Sequence, residues 1–320
     1  MKNKLEIVAG GAGFIGSNLV ERIRKKGHEV LVLDNLMLGK QSNLKLLDEQ
    51  VKFEICDISN SEQLNTVLSK YHNIYSIWHL AANSDISNGI NDPSIDYYNT
   101  LKTTYNLLDQ ARKKEIQNFY FASSSAVYGD KGGRPISEAV DLLTPISNYG
   151  AAKAASEMLI GSFSHIYHLN SKIFRFPNVV GTPATHGVIF DFINKIIASK
   201  KLHVLGDGTQ KKAYLHVSDL IDAMLFLANE TADENPLIVN IGPPDDGITV
   251  KEIAELVCNK FSTTVPIYYE SKNIGWIGDV PRFRYDTAKL NKLGFRIPKS
   301  SKKAIQKAVD EIFENIHNKK

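Results

Sequence analysis

The sequence predicts an α/β fold in which a doubly wound parallel sheet carries helices on both faces, with a smaller C-terminal α/β lobe. Three observations predict it. Residues 4–26 pass from an apolar strand through a glycine turn into a helix; strand-like and helix-like stretches then alternate six times with short connections; and beyond Pro177 the alternation loosens. Repeated strand–helix–strand units imply right-handed crossovers, and so a parallel sheet covered by helices.

Lys4–Ala9 reads as a buried strand, Gly10–Gly16 as the turn and Ser17–Lys26 as the helix. Gly10 suits a tight turn, Gly13 lets a pyrophosphate approach the main chain, and Gly16 lets helix and strand pack closely. A phosphate there meets free N–H groups and the positive end of a helix dipole. The second strand, His28–Leu33, ends in Asp34, eighteen residues after Gly16. A carboxylate at that point accepts both hydroxyls of an adenosine ribose and repels a 2′-phosphate, so the pattern favours NAD over NADP.

Residues 35–50 are polar with a short helical patch, and Val51–Cys56 alternates like a strand before Asp57 and Ile58. That junction suits the edge and face of an adenine. Ser59 or Asn60 caps the next helix, which runs to about Tyr71. The fourth strand, Ile74–Leu80, leads into Ala81, Ala82 and Asn83, whose small size lets a ligand lie against the backbone at the sheet edge where ligands bind. His79 lies inside this strand and reads as a packing histidine. A long helix is expected over Asp92–Lys114, with Asn99 either facing the cofactor or simply exposed. The strand Asn118–Ala122 delivers Ser123–Gly129 to the same edge, a helix containing Tyr149 and Lys153 begins near Ser147, and Ser171–Phe176 is the sixth strand.

Beyond it, residues 178–187 read as a loop, Val188–Lys200 as an amphipathic helix, and 202–205, 214–217 and 237–241 as short strands. Helices are expected at 218–229, 249–261, 286–293 and 301–317. The resulting division is a dinucleotide-binding domain of residues 1–177, to which 213–243 returns, and a substrate lobe of 178–212 and 244–320.

With 320 residues, 43% hydrophobic and 23% charged, the chain can bury a sizeable core and has an ordinary globular composition. Its net charge of +3 is spread along the chain, which suits an acidic small molecule and points away from nucleic acid. Cys56 and Cys258 have no metal-ligand spacing and read as buried thiols in a reducing compartment. The first strand begins within five residues of Met1 and no apolar run approaches membrane-spanning length. A cytoplasmic protein without metal or membrane partner is therefore expected.

Tyr149 and Lys153 are four residues apart and share a helix face. An ammonium beside a phenol favours phenolate, lowering its pKa from about 10 toward working pH. Taken with the hydroxyl-rich strand end and the NAD-type turn, these residues make the chain resemble the extended short-chain dehydrogenase/reductase family, and within it the nucleotide-sugar epimerases of the UDP-glucose 4-epimerase type. The resemblance rests on GGAGFIGSN at Gly10–Asn18, Asp34–Leu36, Asp57–Ile58, SSSAVYGD at Ser123–Asp130 and YGAAK at Tyr149–Lys153. Looser matches follow in order: RFPNVVG, YLHVSDL, NIG and GDVP.

The resemblance implies a Rossmann-type NAD domain, with Tyr149 as base and acid, Lys153 as its electrostatic partner and ribose ligand, and Ser124 holding the reacting sugar oxygen. It places Gly10, Gly13, Phe14, Ile15, Gly16, Asp34, Asn35, Asp57, Ile58, Ala81, Ala82, Asn99, Tyr149 and Lys153 against NAD. It places Ser124, Ser125, Asn178, Val188 and Lys212 against a nucleotide-diphosphate sugar. The implied reaction is reversible oxidation at C4, most simply a 4-epimerase of the UDP-glucose/UDP-galactose type. The alternative is a C4 dehydrogenase of an activated hexose or heptose, followed by a 4,6-dehydratase and a non-catalytic NAD-binding regulator. Dehydration is disfavoured because Ser125 and Ala126 stand where dehydratases place an Asp and a Glu. Two pyrophosphate arginines of typical epimerases are replaced, at Gly275–Ile277 and at Lys212, leaving Arg282 or Arg284 to compensate. Trp276 is as well suited to packing as to a ligand, and His186, in the Thr185–Gly187 specificity loop, reads as a surface residue. Relatives dimerise through two long helices, and Leu101, Leu108, Met158 and Ile160 are candidates for that contact or for the core.

Overall fold

The structure is a computed structural model that describes residues 4–44, 48–84, 86–139, 142–184, 186–271 and 283–317. Its contacts divide the chain into two units, one of residues 1–129, 141–175 and 224–239, the other of 130–140, 176–223 and 240–320.

The first unit is built on a seven-stranded sheet. Its strands are β1 (Leu5–Ala9), β2 (Glu29–Asp34), β3 (Val51–Ile55), β4 (Ile74–His79), β5 (Asn118–Ser124), β6 (Asn170–Phe176) and β7 (Leu237–Asn240), in the order β7-β6-β5-β4-β1-β2-β3. β1 runs parallel to β2 and β4, β2 to β3, and β4 to β5. Every residue of β1 is buried, as expected of a parallel strand covered on both faces. Strand order reverses at β1, so the carboxyl ends of β1 and β4 flank the switch point where ligands of open α/β sheets bind.

Around the sheet lie α1 (Phe14–Lys25), α2 (Ser61–Leu68), α3 (Ile86–Asn91), α4 (Ser94–Asp96), α5 (Thr103–Lys113) and α6 (Asn148–Tyr167). α1 buries Leu19, Val20 and Ile23 and carries Arg22, Arg24 and Lys25 in its last turn, where the dipole favours cations. Asn60 caps α2, its side chain accepting the N–H groups of Glu62 and Gln63.

The single helix expected over Asp92–Lys114 is instead α4, a six-residue π-helical stretch at Tyr97–Lys102 and then α5. Pro93 lacks the N–H that would extend α3 and caps α4, where a missing donor costs nothing. The π stretch shifts the register of everything after it, a change hydrophobic spacing does not encode. Leu108 and Ile160 are fully buried in the core beside Ile7, Leu31, Ile77 and Phe119. They are core residues, not contact residues.

The second unit contains α7 (Val188–Ser199), the first half of α8 (Val217–Asn229), α9 (Val250–Cys258), α10 (Ala288–Lys292) and α11 (Ser301–His317). Its core gathers Ile189, Ile193, Ile253, Val257, Ile305 and Val309. Short ladders replace a large sheet: Asn178–Val180 pairs in parallel with Tyr214–His216, Leu202–Val204 with Ile267–Tyr269, and Pro135–Ile136 with Arg284–Tyr285, while Lys211–Lys212 pairs antiparallel with Ile248–Thr249. Residues 178–180 were expected to be loop; three residues are too few for a readable alternation. Because Tyr214–His216 pairs inside this unit, the piece that returns to the first unit is 224–239, shorter than the expected 213–243. Among the described residues no helix is long and apolar enough to cross a membrane.

Candidate active site

The glycine turn at the end of β1 is closed by contact. Gly10 has φ +79°, and a Cβ there would lie 2.7 Å from the Ala81 nitrogen at the end of β4. A Cβ on Gly16 would lie 2.1 Å from the Gly10 oxygen. Gly13 precedes the first turn of α1, which no side chain caps and which holds no acidic residue, so its positive end is open to an anion. Asp34, buried at the end of β2, accepts the Ala12 N–H at 2.9 Å and the Leu36 N–H at 2.8 Å. Burial raises the Asp34 pKa while those two N–H groups oppose the rise.

Gly39 packs its backbone onto that carboxylate: a Cβ there would stand 2.9 Å from both Asp34 oxygens. Sequence reasoning passed over Gly39, although a glycine shortly after the ribose-type acid was its signal. Asn35 is exposed, its Oδ1 accepting the Met37 N–H. At the end of β3 Asp57 accepts the Ser59 N–H, and Ile58 is buried. Asn106 of α5 donates to the Ile58 and Ser59 carbonyls at 2.8 and 3.1 Å, fixing this loop. Ala81 and Ala82 are half-buried at the end of β4. Asn99 is half-buried in the π stretch, 4.0 Å from the Met37 sulfur, whereas the next residue, Thr100, is fully buried with its hydroxyl unpaired. These features fit a dinucleotide: a glycine turn with no room for side chains, an uncapped helix start and a carboxylate at the ribose position.

Ser124 is the last residue of β5 and its Oγ accepts the Ala126 N–H at 3.2 Å. Ser147 caps α6 by accepting the Gly150 N–H at 3.1 Å. Gly150 then lets α6 approach closely, since a Cβ there would be 2.5 Å from the Ala126 oxygen. This contact brings Tyr149 to Ser124, with which it shares a hydrogen bond. Lys153, one turn on, is 1% exposed; its Nζ donates to the Ala122 carbonyl at 2.6 Å and lies 5.8 Å from the Tyr149 ring centroid. Ser124, Tyr149 and Lys153 therefore converge as the sequence implies.

Their electrostatics differ from the expectation. Burial pushes the Tyr149 phenol up to about 12; the Ser124 hydrogen bond works against this and the Asp96 charge adds to it. Burial likewise drives Lys153 down to about 7, against Glu157 and Asp96, which hold it up. Desolvation of both groups outweighs the lowering of the phenol that an adjacent ammonium alone would produce.

Behind the triad lies a polar network that sequence reasoning missed. Glu157, one turn beyond Lys153, accepts from Ser123 and takes a forked pair of bonds from Arg175 of β6, with Nη2 at 2.5 Å and Nε at 3.0 Å. Arg175 also donates to the Tyr128 hydroxyl at 2.9 Å. His79 is fully buried as expected, with Nε2 2.9 Å from the Thr104 hydroxyl and Nδ1 unpaired. The i+4 spacing of Lys153 and Glu157 was the available signal.

Three predicted substrate residues belong to the second unit: Asn178 is exposed, Val188 is half-buried at the start of α7, and Lys212 is half-buried. His186 is exposed. Arg284 pairs with Asp246 at 2.7 Å. Thr185, Gly275–Ile277, the GDVP segment and Arg282 lie outside the described residues.

Residues 7–242 match the NAD dependent epimerase/dehydratase family. The UDP-glucose 4-epimerase of Mycolicibacterium smegmatis is 31% identical, covering 68% of this chain and 71% of that protein. Among solved structures, a UDP-galactose 4-epimerase superposes with a TM-score of 0.87 at 31% identity, covering 98% of this chain and 99% of that one. The UDP-glucose 4-epimerase of Thermus thermophilus, solved with NAD, does so at 0.85 and 27%, covering 97% and 99%. The chain belongs to the NAD dependent epimerase/dehydratase family and is an NAD-dependent enzyme on the Rossmann-type scaffold of the extended short-chain dehydrogenases/reductases.

Proposed function

We propose that this enzyme is a nucleotide-sugar 4-epimerase that interconverts UDP-glucose and UDP-galactose. The observation that carries the reading is the convergence of Ser124, Tyr149 and Lys153 on the sheet edge that also bears the glycine turn. The names of the similar proteins support the nucleotide and the sugar.

Bound NAD supplies the acceptor and donor for the hydride at sugar C4. The residues that would hold it are Gly10, Gly13, Phe14, Ile15, Gly16, Asp34, Asn35, Asp57, Ile58, Ala81, Ala82 and Asn99, together with Tyr149 and Lys153. The chain's own work is proton handling. Tyr149 as phenolate takes the C4 hydroxyl proton and, as phenol, returns it. Ser124 holds the same sugar oxygen, and its bond to Tyr149 favours the phenolate. Lys153 gives one N–H to the Ala122 carbonyl, leaving further donors and a positive charge for the site. Ser125, Asn178, Val188 and Lys212 are assigned to the substrate, with Lys212 supplying a charge to the pyrophosphate without an arginine's fork. Inversion requires the 4-keto sugar to present its other face before the hydrogen returns.

Incubation with UDP-glucose, followed by proton NMR, should show UDP-galactose; accumulation of a 4-keto sugar would instead make the enzyme a dehydrogenase. Tyr149→Phe should lower turnover by about 10²–10⁴-fold, and full turnover in that variant would end the catalytic assignment.

We infer also a cytoplasmic homodimer. The unpaired thiols Cys56 and Cys258 suit a reducing compartment. Tyr105 of α5 and Met158, Ile166 and Tyr167 of α6 are exposed apolar side chains, a patch that suits burial against a second copy. Light scattering should return twice the chain mass; a monomer would refute it.

A further inference from the structure

The charges facing Lys153 come from several elements. Glu157 stands on its own helix, Asp96 on α4 and His79 on β4, while Tyr149 lies one turn back and Arg175 reaches in from β6 through Glu157. Glu157 gives Lys153 the larger support, but its oxygens are also bonded by Arg175 and Ser123. His79 is kept uncharged, since burial, with the Lys153 charge adding to it, holds its pKa well below the usual value.

Asp96 is different. It is 1% exposed, its Oδ1 accepts from the Asn83 side chain at 3.1 Å, and its Oδ2 has no hydrogen-bond partner. That oxygen rests on the Gly89 backbone, where a Cβ would come within 2.0 Å of it. The Gly89 carbonyl in turn accepts from the side chain of Asn148, the residue before Tyr149. Asp96 is thus packed against the segment that anchors the start of α6, held by a neutral amide and paired with no cation by direct contact.

We propose that Asp96 is a positioning residue for the reaction: the uncompensated carboxylate among the described residues around Lys153, it keeps that side chain an ammonium while Tyr149 exchanges a proton with the sugar hydroxyl. An ammonium buried to this extent loses charge readily, and here burial already brings it down to about 7. Asp96 holds Lys153 up and at the same time raises the Tyr149 phenol, an effect the Ser124 hydrogen bond offsets. Burial works against the Asp96 charge, while the Asn83 hydrogen bond and the Lys153 charge support it. The role rests on the catalytic assignment of Tyr149 and Lys153 made above.

The test is the pH profile of turnover of the NAD-loaded enzyme, wild type against Asp96→Asn. Asparagine keeps an oxygen for the Asn83 amide and removes only the charge. Both reacting groups feel that charge in the same direction, so both limbs of the profile should move to lower pH, by about one unit or more. An Asp96→Asn profile that coincides with wild type overturns the proposal, whatever the melting temperature does. Should asparagine at 96 fail to fold, Asn83→Ser keeps the carboxylate but weakens its hold. Losing that bond lets Asp96 protonate at higher pH, so the acid limb should follow that of Asp96→Asn and move to lower pH; an unmoved acid limb overturns the proposal equally. Tyr149→Phe separates the two levels. If that variant is inactive and neither profile moves, only the role of Asp96 fails; if it retains turnover, the catalytic reading itself fails.

Discussion

At the amino end of the sheet Glu6 of β1 is 5% exposed, and its two oxygens accept from Ser76 at 2.8 Å, Trp78 at 2.6 Å and the His28 ring. At the carboxyl end Glu157 is equally buried but is held by an arginine. Around it remain atoms with no partner: Oδ2 of Asp96, Nδ1 of His79 and the Thr100 hydroxyl. One edge of the sheet has a carboxylate bonded by nearby side chains; the other keeps spare hydrogen-bonding capacity under cover. Unsatisfied buried groups cost stability, so a fold tolerates them where something else uses them. The difference separates a structural carboxylate from those that serve a site.

Substitutions at the two carboxylates test that contrast directly. Glu157→Leu strands the Arg175 guanidinium in the interior. Burial works against that cation, and the hydrogen bond and charge of Glu157 outweigh it. Loss of one partner of a buried pair should cost about 3–5 kcal/mol, read as a lower urea midpoint. Glu6→Gln keeps an acceptor for Ser76 and Trp78 and should cost only about 1–2 kcal/mol. Equal losses at the two sites would abolish the distinction.

What could be read in the sequence follows the same division. The turn at Gly10–Gly16 and Asp34 is encoded locally, by spacing along one strand–helix unit, and the structure places each as read. Ser124, Tyr149 and Lys153 were legible because a strand end and one helix turn carry them. Asp96, Glu157 and Arg175 were not, since their roles arise from α4, α6 and β6 meeting in space. The π stretch at Tyr97–Lys102 was also hidden. It has the composition of an ordinary helix, so its changed register, with Asn99 half-buried and Thr100 fully buried, could not be read from spacing. Leu108 and Ile160 could be assigned between contact and core only in the structure, for a related reason: apolar spacing says that a helix has an apolar face and leaves open which of two layers covers it.

His79 gives the finest test, because it has one satisfied and one orphaned nitrogen within the same ring. Its hydrogen bond goes to Thr104, which is itself bonded to the Thr100 carbonyl and to Ser156. An apolar side chain of similar size therefore removes one bond and one desolvated orphan together, and His79→Leu should change stability at pH 7 by less than about 1 kcal/mol. Its pH dependence should change more. The folded pKa lies well below the ordinary 6.5, so below pH 6.5 the unfolded chain binds a proton that the folded chain refuses. Stability from neutral His79 is therefore present above the unfolded value and lost as pH falls, by up to about 1.4 kcal/mol per pH unit. Urea titrations at pH 7 and pH 5.5 should show the wild type losing more stability between the two than His79→Leu does. If both lose the same amount, His79 is protonated in the folded protein, its second nitrogen has a partner, and the contrast drawn with Glu6 loses one of its supports.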